Sequence, residues 1–172
     1  MTSLEALAVA ARDFGTLERR LFEVLGGWVP TVAEPEAKIL LRAHSFQHAW
    51  HAELWDGIAP RTGPRGGVDG PGAELVAMLK DRASARSTVD RLAGAYTVVL
   101  PPLVGTYRRM RDASTPASDG PLVRVLDLIV TDEEAALAAG QLLLDGMVGT
   151  PERGETVAAG TEQPAVRGIR SP

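Results

Sequence analysis

Hydrophobic and polar positions recur at helical spacing through most of this chain, and no stretch alternates as a strand would. The densest stretch is Ala37 to Ile58. At about 100° per residue, Ala37, Leu40, Leu41, His44, His48, His51, Ala52 and Trp55 share one stripe. Ile39, Ala43, Phe46, Trp50 and Leu54 make a second apolar face, and Lys38, Arg42, Ser45, Glu53 and Asp56 a narrow polar arc. A helix apolar over most of its circumference is expected to be buried. All three histidines of the chain then lie on or near a core-facing stripe.

The same reading gives four long helices and one short one. Thr2-Ser3-Leu4-Glu5 reads as a capping box for a helix from Ser3 to Trp28. Its apolar arc of Leu7, Phe14, Leu17, Leu21 and Leu25 also contains Glu18. Glu34-Pro35-Glu36 opens the second helix, and the short connection before it predicts antiparallel neighbours. Ala59 to Gly72 is a glycine- and proline-rich loop with no phosphate-loop signature, and Pro71 to Ala85 reads as the short extra helix. Ser87 caps a helix to Arg111, presenting Tyr96 and Tyr107, with a kink expected at Pro101-Pro102 and a favourable last turn of Arg108, Arg109 and Arg111. The last helix is predicted from Pro121 to Met147. Glu133 is centred on its core stripe, with Ile129 and Leu137 one turn to either side. A carboxylate buried there needs a partner or takes up a proton. From Gly149 onward periodicity ends, so residues 1–148 are expected to form one helical domain and 149–172 a disordered tail.

Composition narrows the function classes. The chain has 172 residues, 45% hydrophobic, with net charge −4. That suits one soluble domain and disfavours a nucleic-acid surface. The absence of an apolar run near membrane length and of a basic leader predicts a cytoplasmic protein without a membrane span. Without cysteine, disulfides, thiolate metal sites and a cysteine nucleophile are excluded. What remains is an all-α bundle with inward carboxylates and imidazoles, the way such bundles build metal or cofactor sites. His44 and His48 are four apart and His48 and His51 three apart; either pair can chelate one ion from a single helix.

The segments LERRLFEVLGGWVPT, RAHSFQHAWHAELW, LPPLVGTYRRM and DGPLVRVLDLIVTDEEAALAAGQLLL resemble the ferritin-like superfamily, in particular its short bacterial members of unestablished role. The resemblance covers roughly Leu17 to Leu144 and implies a ferritin-like four-helix bundle. It also implies iron, or another divalent transition metal, as cofactor. Glu18 is similar to the family's first glutamate, His48 or His51 to its second-helix histidine, and Glu133 to its last-helix glutamate. The paired Glu-x-x-His motif is missing: Ser45 stands three before His48, His48 three before His51, and Ala136 three after Glu133. The expectation is therefore a reduced site, one metal on two histidines and one or two carboxylates, with Tyr96 and Tyr107 supporting it. The competing readings are a metal-free scaffold or interaction protein, homodimeric through the face of Phe46 and Trp50 and held by a buried His–Glu–Tyr network, and an acid–base or small-molecule site in which a histidine and Glu133 move a proton.

Overall fold

The computed structural model describes residues 4–60, 77 and 87–149, and every regular element among them is helical. The helices are α1 (Leu4–Trp28), α2 (Pro35–Ile58), α3 (Thr88–Ala93), α4 (Leu100–Ala113) and α5 (Pro116–Val148), with a π-helical turn, Gly94–Val99, joining α3 to α4 into one rod. The expected capping residues Thr2 and Ser3, the short helix at 71–85 apart from residue 77, and the tail beyond Gly149 lie outside the described residues. No helix among the described residues is long and apolar enough to cross a membrane.

The chain directions follow from which residues meet. Glu18 meets His48 and Phe22 meets Phe46, so α1 and α2 are antiparallel, as the short connection requires. Phe14 packs on Tyr107 while Thr31 accepts a bond from Arg91, so the α3–α4 rod also runs against α1. Arg111 pairs with Asp127 and Arg108 with Glu134, which sets α5 antiparallel to that rod. Thus α1 and α5 run one way, and α2 and the α3–α4 rod the other. The chain between Pro60 and Ser87 links two helices of the same direction.

Three local expectations change. The break in the third rod is at the π turn and not at the prolines. A π turn closes hydrogen bonds five residues back, so Pro101 and Pro102 fall in the first turn of the next α segment, where a missing amide costs little. The last helix begins one turn earlier, at Pro116, and bends at Asp119, whose φ of −125° and ψ of 29° are not helical. Asp119 accepts bonds from the Ser118 hydroxyl and the Thr115 amide, which stabilise the bend. The second helix is not buried all round: Ile39, Phe46 and Trp50 are exposed, while Ser45 is buried with its hydroxyl donating to Arg42 O. In a layer of packed helices each rod faces the core over one arc only, and the histidine stripe took it. Two arginines of α4 bridge helices: Arg108 and Arg111 reach acids on α5, while Arg109 donates to Thr106 of its own helix.

The core is continuous. Leu17, Leu21, Leu25, Leu41, Trp55, Leu92, Leu100, Leu103, Leu126 and Ile129 contribute to it from every helix. An aromatic group lies at one end of the polar site, with Phe14 5.2 Å from Trp55 and 5.0 Å from Tyr107 between ring centroids.

Candidate metal centre

Four carboxylate and imidazole side chains meet in this core. Glu18 of α1, His48 and His51 of α2, and Glu133 of α5 are each 0% exposed, and one donor atom from each lies within 4.8 Å of the others. The histidines converge because three residues on a helix turn through about 300°, which puts neighbouring Cβ atoms on one face about one turn apart. The two imidazoles are edge-on, at 88°. That arrangement turns both Nδ1 atoms toward the carboxylates.

The separations are those of hydrogen bonds and ion pairs, close in scale to a single coordination sphere. His48 Nδ1 is 2.6 Å from Glu18 Oε2 and 3.2 Å from Glu133 Oε1. His51 Nδ1 is 3.2 Å from Glu133 Oε1 and 3.8 Å from Glu18 Oε2. Donors at about 2.0–2.2 Å from a tetrahedral ion stand about 3.3–3.6 Å apart, and the four distances bracket that range. His51 Nδ1 and Glu133 Oε1 face each other without the alignment of a hydrogen bond, which leaves both buried atoms unsatisfied. Buried polar atoms without partners are uncommon and call for an explanation.

Most of the donors are held from behind. Asp132 Oδ2 lies 3.2 Å from His51 Nε2 and accepts its N–H, which turns Nδ1 inward. The Tyr107 hydroxyl donates to Glu18 Oε1 over 2.5 Å. His44 Nε2 is 3.1 Å from Glu133 Oε2 and its Nδ1 3.2 Å from the Tyr96 hydroxyl. A carboxylate only accepts, so His44 donates from Nε2 and accepts the Tyr96 proton at Nδ1. His44 is therefore in the network but outside the four-donor cluster. His48 Nε2 has no hydrogen-bond partner.

Tyr96 reaches His44 through two backbone features. It projects from the π turn. Opposite it stands Gly140 of α5, where a Cβ would lie 2.1 Å from a Tyr96 ring carbon. Only a glycine leaves room for that ring.

Electrostatics sort the histidines. Burial works against a charge on His48 and His51, but the carboxylates of Glu133 and Glu18 outweigh it: His48 is raised and His51 is raised to about 10. His44 is lowered by burial and by the nearby His48, and stays neutral. Burial would raise Glu18 and Glu133, yet the charge of His48 and hydrogen bonds from the histidines bring both below the ordinary carboxylate range. Two carboxylates and two imidazoliums make a neutral quartet.

A pH dependence follows. Histidines raised above their ordinary 6.5 stabilise the fold fully below that value, and the contribution is lost as pH climbs toward the folded value, about 10 for His51. The lowered carboxylates stabilise above 4.5 and lose their contribution in acid. Neutral His44 costs stability as pH drops below 6.5, where the unfolded chain takes a proton that the folded one refuses. In the presence of a chelator, the unfolding midpoint should peak near pH 6.5 and fall steadily to pH 10, as circular dichroism melts can check. A flat profile from 6.5 to 10 would mean that the histidines are neutral in the fold.

All seven residues singled out in the sequence join one network: Glu18, His48, His51 and Glu133 at its centre, with His44, Tyr96 and Tyr107 around it. Asp132 was missed as a site residue. Its only sequence signal is its place beside Glu133. No protein-family description, curated protein or solved structure matches the chain.

Proposed function

We propose that this protein is a ferritin-like helical bundle that holds one divalent transition-metal ion, iron being the first expectation, on Glu18, His48, His51 and Glu133. The convergence of those four buried donors within 4.8 Å carries the reading. The chain directions support the fold assignment, because a bundle with one long crossover between like-directed helices is the ferritin-like arrangement. Two nitrogen and two oxygen donors suit iron, manganese or zinc. Bound there, such an ion supplies Lewis acidity, and iron or manganese also supplies electron transfer.

The protein's own groups account for how the ion is taken up. Glu18 and Glu133 already carry charge, while His48 and His51 must each give up a proton to become ligands. A bound divalent cation would take the place of those two protons and leave the net charge of the quartet unchanged. Asp132 fixes the His51 tautomer, Tyr107 orients Glu18, and the Tyr96–His44 pair orients Glu133. The His44 contact occupies the remaining Glu133 oxygen, so a second ion has no comparable donor set among these residues.

A second reading rests on the same charge balance: the neutral quartet could serve as a metal-free polar core of a scaffold. Metal loading separates the two. Protein purified without a histidine tag, loaded anaerobically with Fe(II), Mn(II) or Zn(II) and desalted, should retain one ion per chain by elemental mass spectrometry. Asp132→Asn should weaken retention by about 10- to 100-fold, because the amide no longer accepts as a charge from His51. Retention of no ion by the wild-type chain would favour the scaffold.

A further inference from the structure

Three of the chain's eight aromatic residues, Phe22, Phe46 and Trp50, are both exposed and neighbours. Phe22 and Phe46 lie 6.3 Å apart between centroids, and the Arg42 guanidinium covers Phe46 at 5.4 Å. Trp50 follows Phe46 by four residues and is 43% exposed; Phe46 is 57% and Ile39 71% exposed. Large aromatics and arginine are the residues that anchor interfaces, and a contiguous apolar patch on a small protein marks a contact site. Beside the stripe, between α2 and α5, runs an open apolar groove of about 380 Å³ lined by Glu36, Ile39, Leu40, Ala43, Ala139 and Leu143.

We propose that this face is a twofold interface between two copies of the chain, with their α2 helices crossing antiparallel. The charge pattern selects the occupant. Lys38 and Arg42 stand on the first half of α2 and Glu53 and Asp56 on the second, along one flank of the stripe. A twofold axis perpendicular to the helix keeps that flank on the same side and reverses its direction. The basic half of one copy then meets the acidic half of the other, twice. Asp56, which also pairs with Arg19 of its own chain, stays exposed enough to take part. The same operation carries Trp50 of one copy toward Ile39 and Ala43 of the other, where the groove is open. A projecting ring and an apolar recess on one chain, exchanged by one symmetry element, are what a self-complementary dimer needs. The extent suffices. At 24 residues α2 is about 36 Å long. With α1 beside it the face is roughly 20 Å wide and offers about 700 Å² per copy, near the ~800 Å² of a standard interface. The inference is independent of whether the core holds a metal.

Sedimentation equilibrium tests it. The wild-type chain should have twice its 18.2 kDa mass at micromolar concentration. Phe46→Asp and Trp50→Asp, both surface changes, should keep full helicity and raise the dimer dissociation constant about 30-fold or more, the effect of losing a central anchor. Arg42→Glu should weaken the dimer, and Glu53→Arg added to it should restore it. In this cysteine-free chain, Ala43→Cys should cross-link to its twin with a bifunctional maleimide, while Leu128→Cys on α5 should not. A wild-type chain that stays at 18.2 kDa at 100-fold higher concentration would overturn the proposal and assign the face to a different partner. So would a dimer indifferent to Phe46→Asp and Trp50→Asp.

Discussion

Glu133→Ala should cost the metal-free protein about 3–5 kcal/mol, the range for breaking a buried charge pair by removing one partner. Glu133 is fully buried and faces three imidazoles: His48 Nδ1 and His51 Nδ1 through one oxygen and His44 Nε2 through the other. Without it, two imidazoliums share the single charge of Glu18, and at least one must lose its proton inside the core. At 2–4 °C per kcal/mol for a chain of this size, the midpoint should drop by roughly 10 °C at pH 6.5. The drop should shrink as pH climbs toward 10, the range in which His51 loses its proton even with the glutamate in place. Glu133→Gln keeps the volume and an acceptor for His44 but not the charge, so it should recover only part of the loss. Glu134→Ala is the control. Its pair with Arg108 is exposed, and such pairs contribute within about 1 kcal/mol. Thermal unfolding of the three variants across pH checks the order; equal losses for Glu133→Ala and Glu134→Ala would mean that the core acid is uncharged.

Gly140→Ala is the second large effect, and here two principles give opposite signs. Inside a helix alanine is favoured over glycine by about 1 kcal/mol. In this fold the new methyl would lie 2.1 to 2.4 Å from three ring atoms of Tyr96. That ring is fully buried against His44, 5.7 Å between centroids, so it can shift only by disturbing its neighbours. Overpacking of a well-packed core costs about 1–3 kcal/mol and at this distance should exceed the propensity gain. The expected result is a lower unfolding midpoint together with weaker metal retention, because the displaced hydroxyl releases His44 and, through it, Glu133. Tyr96→Leu in the Gly140→Ala background should restore stability but not retention. A stabilised Gly140→Ala protein would contradict the tight packing described.

The site was largely legible in the sequence, for a physical reason. A helix fixes angular position, so histidines at 44, 48 and 51 had to share a face, and a glutamate flanked by Ile129 and Leu137 had to be buried. Glu18 showed itself as an acid inside an apolar arc. What pattern does not encode is distance between helices. The Asp132–His51 contact joins residues 81 positions apart and depends on how α2 and α5 are rotated. Which ring nitrogen faces inward is a rotamer choice that spacing leaves open. The π turn carries no periodic signature, since its effect is to shift the register of the residues after it; the prolines that seemed to kink the helix instead start its next segment. The second apolar face of α2 was only half legible: Ile39, Phe46 and Trp50 look like core residues, and the burial expected all round α2 fails there, whereas the competing homodimer reading already needed Phe46 and Trp50 on an exposed face. Apolar patterning alone does not distinguish a surface reserved for a partner from one buried in the fold.

X-ray absorption at the metal edge of Mn(II)- or Zn(II)-loaded protein tests the central claim most directly. The account predicts one ion per chain in a shell of light atoms, two imidazole nitrogens and two carboxylate oxygens, at about 2.0–2.2 Å, with solvent completing the shell if the ion demands more. His51→Ala should remove one imidazole contribution from the spectrum. A metal–metal vector, a shell without imidazole, or failure of the wild-type chain to retain any ion would contradict it.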